Sequence, residues 1–170
     1  MNCMKIFTLL IGFLFLLAPV AIGQEQDAYD QMLQGHYKGT VPLMQPATLY
    51  EKLQAGQEIH LLDTRENREY KVSALKGAVH VGFLFFTTGK VSEVDKDDLI
   101  VTYCTIGARS ETVGEKLLQN GYTNVYNLYG GIIYWKNQGF PVYHDGKKTE
   151  DVHVYSKKWG QWLENGNPQY

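Results

Sequence analysis

The stretch Leu99-Ile-Val-Thr-Tyr-Cys-Thr-Ile-Gly-Ala-Arg-Ser110 leads from the most strand-like segment of the chain into the start of a helix. Leu99–Tyr103 is a run of apolar and β-branched residues with the length of a buried strand. Residues 110–120 carry apolar side chains at helical spacing, and we predict Ser110 as the N-cap of this helix and Gly121 as its C-cap. The stretch therefore predicts a strand, a short loop and a helix.

The same alternation of strands and helices continues on both sides of this stretch. Further short strands are predicted at 59–63, 77–81 and 124–128, and helices at 46–53, 66–70 and 130–139. Strands that alternate with helices indicate the α/β class, with a mostly parallel central sheet flanked by helices on both faces. Asp63 and Glu66 have the spacing of a capping box for the next helix, so we assign Asp63 and its neighbour Arg65 to the scaffold.

Composition excludes several classes of protein. The chain has 170 residues, of which 44% are hydrophobic and 20% charged, so we expect one globular domain with extra segments and not a disordered chain. The formal net charge is -2, from 16 basic and 18 acidic side chains. A nucleic-acid-binding protein would carry a basic excess, so we expect no nucleic-acid partner.

The N-terminal residues have the features of an export signal. Lys5 is followed by an apolar block at Ile6–Val20 and by the small-residue pattern Ala21-Ile22-Gly23. This order predicts a signal peptide cleaved before Gln24 and a periplasmic or extracellular protein. A retained membrane anchor is the alternative, although Pro19 interrupts the apolar run, whose length is near the lower limit for crossing a bilayer.

The chain has two cysteines, Cys3 and Cys104. Removal of the signal would leave Cys104 as the single thiol, with no intramolecular partner for a disulfide. A lone cysteine in an oxidising compartment is either buried or retained because its thiol is used. Taken alone, Cys104 would be a small apolar residue at the end of a strand.

The residues after this cysteine favour a functional thiol. The candidate site consists of Cys104 as nucleophile and a substrate-binding loop of Thr105, Ile106, Gly107, Ala108 and Arg109. In open α/β sheets ligands bind at the carboxyl ends of strands, and a tight loop leading into a helix directs backbone N–H groups and the positive end of the helix dipole toward one point. Because Gly107 allows the loop to curl and Arg109 adds a permanent cation, the loop is predicted to bind an anion beside the thiol.

This loop resembles the C-x-x-G-x-R-S active loop of the rhodanese (sulfurtransferase) superfamily. Further similar motifs are Leu62-Asp63-Thr64-Arg65, Glu69-Tyr70, Gly77-Ala78-Val79-His80, Gly121-Tyr122, Val125, Leu128, Gly130-Gly131, Trp135 and Gly139-Phe140-Pro141-Val142. The resemblance predicts a rhodanese-like domain at 46–143. The signal peptide at 1–23 and an extension at 24–45 precede it, and an extension at 144–170 is expected to pack on it.

The resemblance implies a doubly wound α/β domain and a sulfur-transfer reaction. The cysteine, here Cys104, would attack a sulfane donor such as thiosulfate, hold the sulfur as a persulfide and pass it to cyanide or a thiol. The backbone amides of 105–109 would surround the persulfide, and the reaction would need no metal or organic cofactor. The chain departs from the family pattern at Gly82, where proline is often found, and at the uncharged Thr105 and Ile106, where some thiosulfate-using members carry cations.

Two roles are open for Arg109. Its guanidinium either faces the loop and holds two oxygens of the donor, or turns away and ties the loop to an acidic neighbour such as Glu69 or Glu111. The first role makes Arg109 part of the substrate site, whereas the second makes it part of the scaffold.

Two other functions remain open. The first is phosphatase or arsenate-reductase chemistry, because related phosphatases use a cysteine–arginine loop on this fold. Four residues separate Cys104 from Arg109, one fewer than in that signature, so the loop suits a persulfide better than a phosphate. The second is a non-enzymatic carrier of sulfide or persulfide that binds a partner protein through the C-terminal segment, which is rich in aromatic residues such as Tyr155, Trp159 and Trp162.

Overall fold

The computed structural model describes residues 28–170, which contain Cys104 and the elements on both sides of it. The predicted signal peptide and Cys3 lie outside the described residues. Within residues 28–170, no helix combines the length and the apolar composition needed to cross a membrane.

Helices and strands alternate through the middle of the chain. The helices are α1 (28–34), α2 (Pro46–Gln54), α3 (Asn67–Val72), α4 (Ala108–Gln119), α5 (Gly131–Asn137) and α6 (Lys157–Gly160). The strands are β1 (Leu43–Met44), β2 (His60–Asp63), β3 (Val79–His80), β4 (Ile100–Tyr103), β5 (Val125–Leu128), β6 (Val142–His144), β7 (Lys147–Thr149), β8 (Asp151–His153) and β9 (Asn167–Gln169). A short 3-10 helix at Thr88–Val91 lies between β3 and β4.

Five strands form a parallel sheet in the order β1-β5-β4-β2-β3. The central strand β4 pairs with both neighbours, so that Val101 lies opposite Leu61 on one side and Tyr126 on the other. All residues of β4 are buried, as expected for a parallel strand that is covered on both faces. The predicted α/β class with a central parallel sheet is confirmed.

Alternate strand residues enter two hydrophobic cores, because successive side chains of a strand point to opposite faces of the sheet. Leu61 and Val101 pack in one core, and Leu62 and Ile100 pack in the other. Val154, from the C-terminal segment, is fully buried in the first of these cores. The segment after residue 143 is therefore part of the folded body of the protein.

Helix α4 begins two residues before the predicted start, and the prediction of Ser110 as its N-cap is wrong. Gly107 is the N-cap, with a φ of 100° that glycine adopts without steric cost. Ser110 lies in the first turn, where its hydroxyl donates to the carbonyl oxygen of Gly107 at 3.0 Å and to Oδ1 of Asn127 at 2.7 Å. At the other end, Gly121 follows the C-cap Asn120 with a φ of 85°, so the predicted end is correct to within one position.

The prediction that Asp63 caps the next helix is also wrong. Glu66 is the N-cap of α3, and its backbone N–H donates to Oε2 of Glu69 at 3.0 Å. Asp63 instead pairs with Arg65, with 2.6 Å between Oδ2 and Nη2, and both side chains are fully buried. Arg65 also donates to the carbonyl oxygen of Ser73, so this pair ties the end of β2 to the end of α3.

Candidate active site

Cys104 lies directly after β4, at the carboxyl end of the central strand of the sheet. It is 1% exposed, and the backbone N–H of Gly107 donates a hydrogen bond to its Sγ at 3.2 Å. Helix α4 begins at the residue after Gly107, so the positive end of the helix dipole lies beside the same loop. The geometry therefore places partial positive charge next to a potential nucleophile.

The backbone N–H groups at the start of α5 bind carbonyl groups of the cysteine loop, which we define as residues 104–109. The backbone N–H of Ile132 donates to the carbonyl oxygen of Cys104 at 2.9 Å, and that of Ile133 donates to the carbonyl oxygen of Thr105 at 3.2 Å. Gly131 makes this approach possible, because a Cβ at this position would lie 2.4 Å from the Cys104 oxygen. These contacts fix the orientation of the first peptide groups of the cysteine loop.

Tyr37 holds the same loop from the N-terminal side. Its hydroxyl donates to the carbonyl oxygen of Ile106 at 2.7 Å and accepts a hydrogen bond from the N–H of Gly130 at 2.8 Å. A Cβ at Gly107 would lie 2.3 Å from this hydroxyl oxygen, so the loop and the tyrosine pack without room for a side chain. Burial raises the pKa of Tyr37 well above its ordinary value, and the hydroxyl therefore keeps its proton.

Replacing Tyr37 with phenylalanine should lower the free energy of unfolding by about 1–3 kcal/mol, because Ile106 and Gly130 would each lose a hydrogen-bond partner. Urea denaturation measures this change. The matched control is Tyr50→Phe, since Tyr50 packs through its ring on Phe140 with 4.4 Å between ring centres. The control should change stability by less than about 0.5 kcal/mol. Equal losses in the two variants would contradict the bridging role of the Tyr37 hydroxyl.

Arg109 is held by a buried carboxylate. Its Nη1 donates to Oε2 of Glu69 at 2.8 Å, and its Nη2 donates to Oε1 of Glu69 at 2.7 Å and to Oγ1 of Thr105 at 2.9 Å. Glu111, the other acidic residue considered, accepts hydrogen bonds from two backbone N–H groups of the N-terminal segment instead. The structure therefore shows the tie to Glu69, but the Arg109 side chain does not turn away from the site, because it also lines the cavity beside Cys104.

This pair changes the proton affinity of both partners. Burial alone would raise the pKa of Glu69, but the hydrogen bonds and the positive charge of Arg109 outweigh it, and the pKa of Glu69 is lowered from its ordinary value. Burial alone would lower the pKa of Arg109, but its hydrogen bonds to Glu69 raise it instead. The pair is therefore ionised on both sides at neutral pH.

A cavity of about 220 Å³ lies over the cysteine loop. The predicted site residues that line it are Cys104, Thr105, Ile106, Ala108 and Arg109. Gly107 does not line the cavity and contributes its N–H group to Sγ. Among residues 28–170, no group of three or more His, Cys, Asp or Glu side chains is arranged to hold a metal ion.

Three further residues complete the wall of this cavity, and we call them the roof: His36, Tyr155 and Trp159. The sequence did not identify them as site residues, because they lie far from Cys104 along the chain. Tyr155 and Trp159 belong to the extension at 144–170 that the sequence predicts to pack on the domain. Their aromatic character within a polar segment is the one signal that could have drawn attention to them.

Comparison with known proteins supports the family resemblance. The model of the Rhodanese-like domain family matches residues 45–138. A tRNA uridine(34) hydroxylase from Yersinia pestis is 32% identical over 155 residues, which cover 84% of this chain and 39% of the relative. The chain thus spans less than half the length of this relative.

Solved structures show the same fold. A rhodanese-related protein from Thermoplasma volcanium superposes with a TM-score of 0.53 and 27% identity, over 60% of this chain and 97% of that protein. A thiosulfate sulfurtransferase from Pseudomonas aeruginosa superposes with a TM-score of 0.57 and 22% identity, over 72% of this chain and 23% of that protein. Since the family model also covers more than half of the chain, this protein is a member of the rhodanese-like domain family.

Proposed function

We propose that the protein is a sulfurtransferase that moves sulfane sulfur through a persulfide on Cys104. The observation that carries this proposal is the hydrogen bond from the Gly107 N–H to Sγ, at the base of a cavity beside the start of α4. This arrangement supports a sulfur anion at a position that a small donor can reach.

The proposed reaction has two steps. In the first, the Cys104 thiolate attacks the outer sulfur of thiosulfate, a new S–S bond forms, and the old S–S bond breaks so that sulfite leaves with the electron pair. In the second, cyanide attacks the outer sulfur of the persulfide and leaves as thiocyanate, and the electron pair returns to Cys104 as thiolate. A small thiol is the alternative acceptor, and it would leave carrying the sulfur as its own persulfide.

Thiosulfate as the specific donor is a separate part of the proposal, and it depends on how the site binds an anion. Thr105 and Ile106 carry no charge, and the charge of Arg109 is compensated by Glu69. The recognition of the donor anion therefore falls mainly on the backbone amides of the loop and on the dipole of α4.

The name of the Yersinia relative suggests action on a tRNA base, but this chain covers 39% of that protein. The net charge of -2 does not favour binding to RNA, whose phosphates attract basic surfaces. We therefore propose small sulfur-containing anions as donors, and not a nucleic acid.

Mass spectrometry of the intact protein tests the proposal. Thiosulfate should add the mass of one sulfur atom, and later addition of cyanide should remove it with release of thiocyanate. A small aryl phosphate serves as the control substrate for phosphatase chemistry and should not be hydrolysed. A loaded protein that releases no sulfur to cyanide or to small thiols would favour the carrier function instead.

We also propose that the protein is exported, on the basis of the apolar block that follows Lys5. The expected result is an N-terminus near Gln24 in the protein recovered from the periplasm or the medium. N-terminal sequencing checks this, and replacing two leucines of the apolar block with arginine is the control that should prevent export. Recovery of exported protein with residues 1–23 attached would contradict cleavage.

A further inference from the structure

The roof over Cys104 comes from segments outside the residues that match the family model. His36 precedes the matched segment, whereas Tyr155 and Trp159 follow it. The rings of His36 and Trp159 meet edge to face with 5.0 Å between their centres. The N-terminal and C-terminal segments therefore meet above the cysteine loop.

The roof is anchored to the folded body of the protein. The guanidinium of Arg109 lies 4.9 Å from the ring centre of Tyr155, and the backbone N–H of Tyr155 donates to Nδ1 of His153 at 3.0 Å. Val154, the preceding residue, is fully buried. Tyr155 also has a φ of 66°, which is unfavourable for a residue with a side chain and persists only where surrounding contacts hold it.

The space under the roof restricts what can reach the sulfur. The cavity of about 220 Å³ is smaller than the roughly 300–1,000 Å³ that is typical of sites for drug-sized ligands. Cyanide, thiosulfate and a small thiol fit such a space. An attacking thiol must approach the outer sulfur to within ~3–3.5 Å. The rings of His36, Tyr155 and Trp159 stand beside that approach.

We propose that His36, Tyr155 and Trp159 determine acceptor specificity by size, so that Cys104 gives its sulfur to low-molecular-weight acceptors and not to the thiols of folded proteins. This inference rests on the proposed sulfur-transfer function. It assigns to the two extensions of the domain a role in the choice of acceptor.

The first experiment measures access to Cys104 without any sulfur chemistry. The full chain with Cys3→Ser is treated with iodoacetamide or with a maleimide carrying a polyethylene glycol chain, and each rate is divided by that of the urea-unfolded chain. The bulky reagent should be slowed on the order of 100-fold more than iodoacetamide. Trp159→Ala should raise the alkylation rate of the bulky reagent on the order of tenfold. It should change the alkylation rate of iodoacetamide much less.

The second experiment measures discharge of the persulfide. Protein loaded with thiosulfate is mixed with cyanide, with 2-mercaptoethanol or with reduced thioredoxin, and the loss of sulfur is followed by mass spectrometry. Each rate is divided by the rate of the same thiol with a small-molecule persulfide, because the two thiols differ in intrinsic reactivity. After this division, thioredoxin should be slower than 2-mercaptoethanol on the order of 100-fold, and Trp159→Ala should reduce this difference on the order of tenfold.

Trp162→Ala is the matched control for both experiments. Trp162 belongs to the same segment, but its ring packs on Tyr29 with 5.4 Å between centres and does not line the cavity. This variant should leave unchanged the difference in rate between small and bulky reagents in both experiments. His36→Ala opens the roof from an exposed position and replaces Trp159→Ala if the latter does not fold.

The outcomes separate the two proposals. Equal corrected rates for thioredoxin and 2-mercaptoethanol on the intact protein would overturn the proposed size limit. Equal gains in rate for Trp159→Ala and Trp162→Ala would also overturn it. Failure of thiosulfate to load any variant would overturn the proposed function, while the alkylation rates would still decide whether the roof excludes large reagents.

Discussion

Cys104→Ser should abolish sulfur uptake from thiosulfate. A serine hydroxyl is not ionised at neutral pH and is a weak nucleophile without an adjacent base, so the first S–S bond cannot form. Thiocyanate production should fall by on the order of 10⁴-fold or more, the scale on which loss of a nucleophile slows other enzymes. Cys104 is buried and its replacement is nearly isosteric, so the variant should remain folded.

The measurement is the rate of thiocyanate release, together with the mass of the thiosulfate-treated protein. Cys3→Ser in the full chain is the matched control, because it removes the other thiol of the sequence and should retain full activity. Undiminished thiocyanate release by a folded Cys104→Ser variant would contradict the persulfide mechanism.

Arg109→Ala should lower the free energy of unfolding at neutral pH by about 3–5 kcal/mol, because it removes one partner of a buried ion pair. The Glu69 side chain is fully buried and that of Arg109 is 21% exposed, so solvent screens the pair little. Without Arg109, the Glu69 carboxylate would keep hydrogen bonds from Thr105 and from the Glu66 N–H but would lose the cation that it contacts directly.

The stability difference should depend on pH in a defined direction. The folded-state pKa of Glu69 is lowered, so its contribution to stability is present above its unfolded pKa of about 4.3 and is lost as the pH falls through the folded value. In Arg109→Ala the hydrogen bonds and positive charge of Arg109 no longer oppose the effect of burial, so the pKa of Glu69 should rise. The gap between wild type and variant should therefore be largest near neutral pH and narrow on acidification.

Urea denaturation at several pH values tests this, with Arg68→Ala as the matched control. Arg68 pairs with Glu66 on the surface, where the two side chains are 61% and 43% exposed. The control should lose less than about 1 kcal/mol. A fully stable Arg109→Ala variant with impaired sulfur transfer would instead assign Arg109 to the donor anion.

The local elements around Cys104 could be predicted from sequence because their signals are local. The apolar run of β4 and the helical spacing of α4 each lie within a dozen residues. The error at Ser110 has a local cause as well. A serine at the start of a helical pattern is a good N-cap, but Gly107 reaches a left-handed conformation that lets the helix begin earlier.

The surroundings of the cysteine loop could not be predicted in the same way, because they depend on contacts between distant positions. Tyr37 is 69 positions from Ile106, whose carbonyl it holds, and Glu69 is 40 positions from Arg109. No periodicity or capping pattern links such pairs. The sequence alone therefore does not decide whether Arg109 binds a substrate or a carboxylate. The partner Glu69 is brought to Arg109 only by the packing of α3 beside α4.

The contact between His36 and Trp159 has a consequence for how the protein matures. The ribosome synthesises Cys104 well before Trp159, and contacts between distant parts of a chain form late because closing a long loop is slow. The thiol is therefore uncovered in the nascent chain and becomes shielded only when the last segment has docked. Before that docking, protein thiols and small molecules alike can reach the cysteine, and the size limit proposed for acceptors begins only once the C-terminal segment is in place.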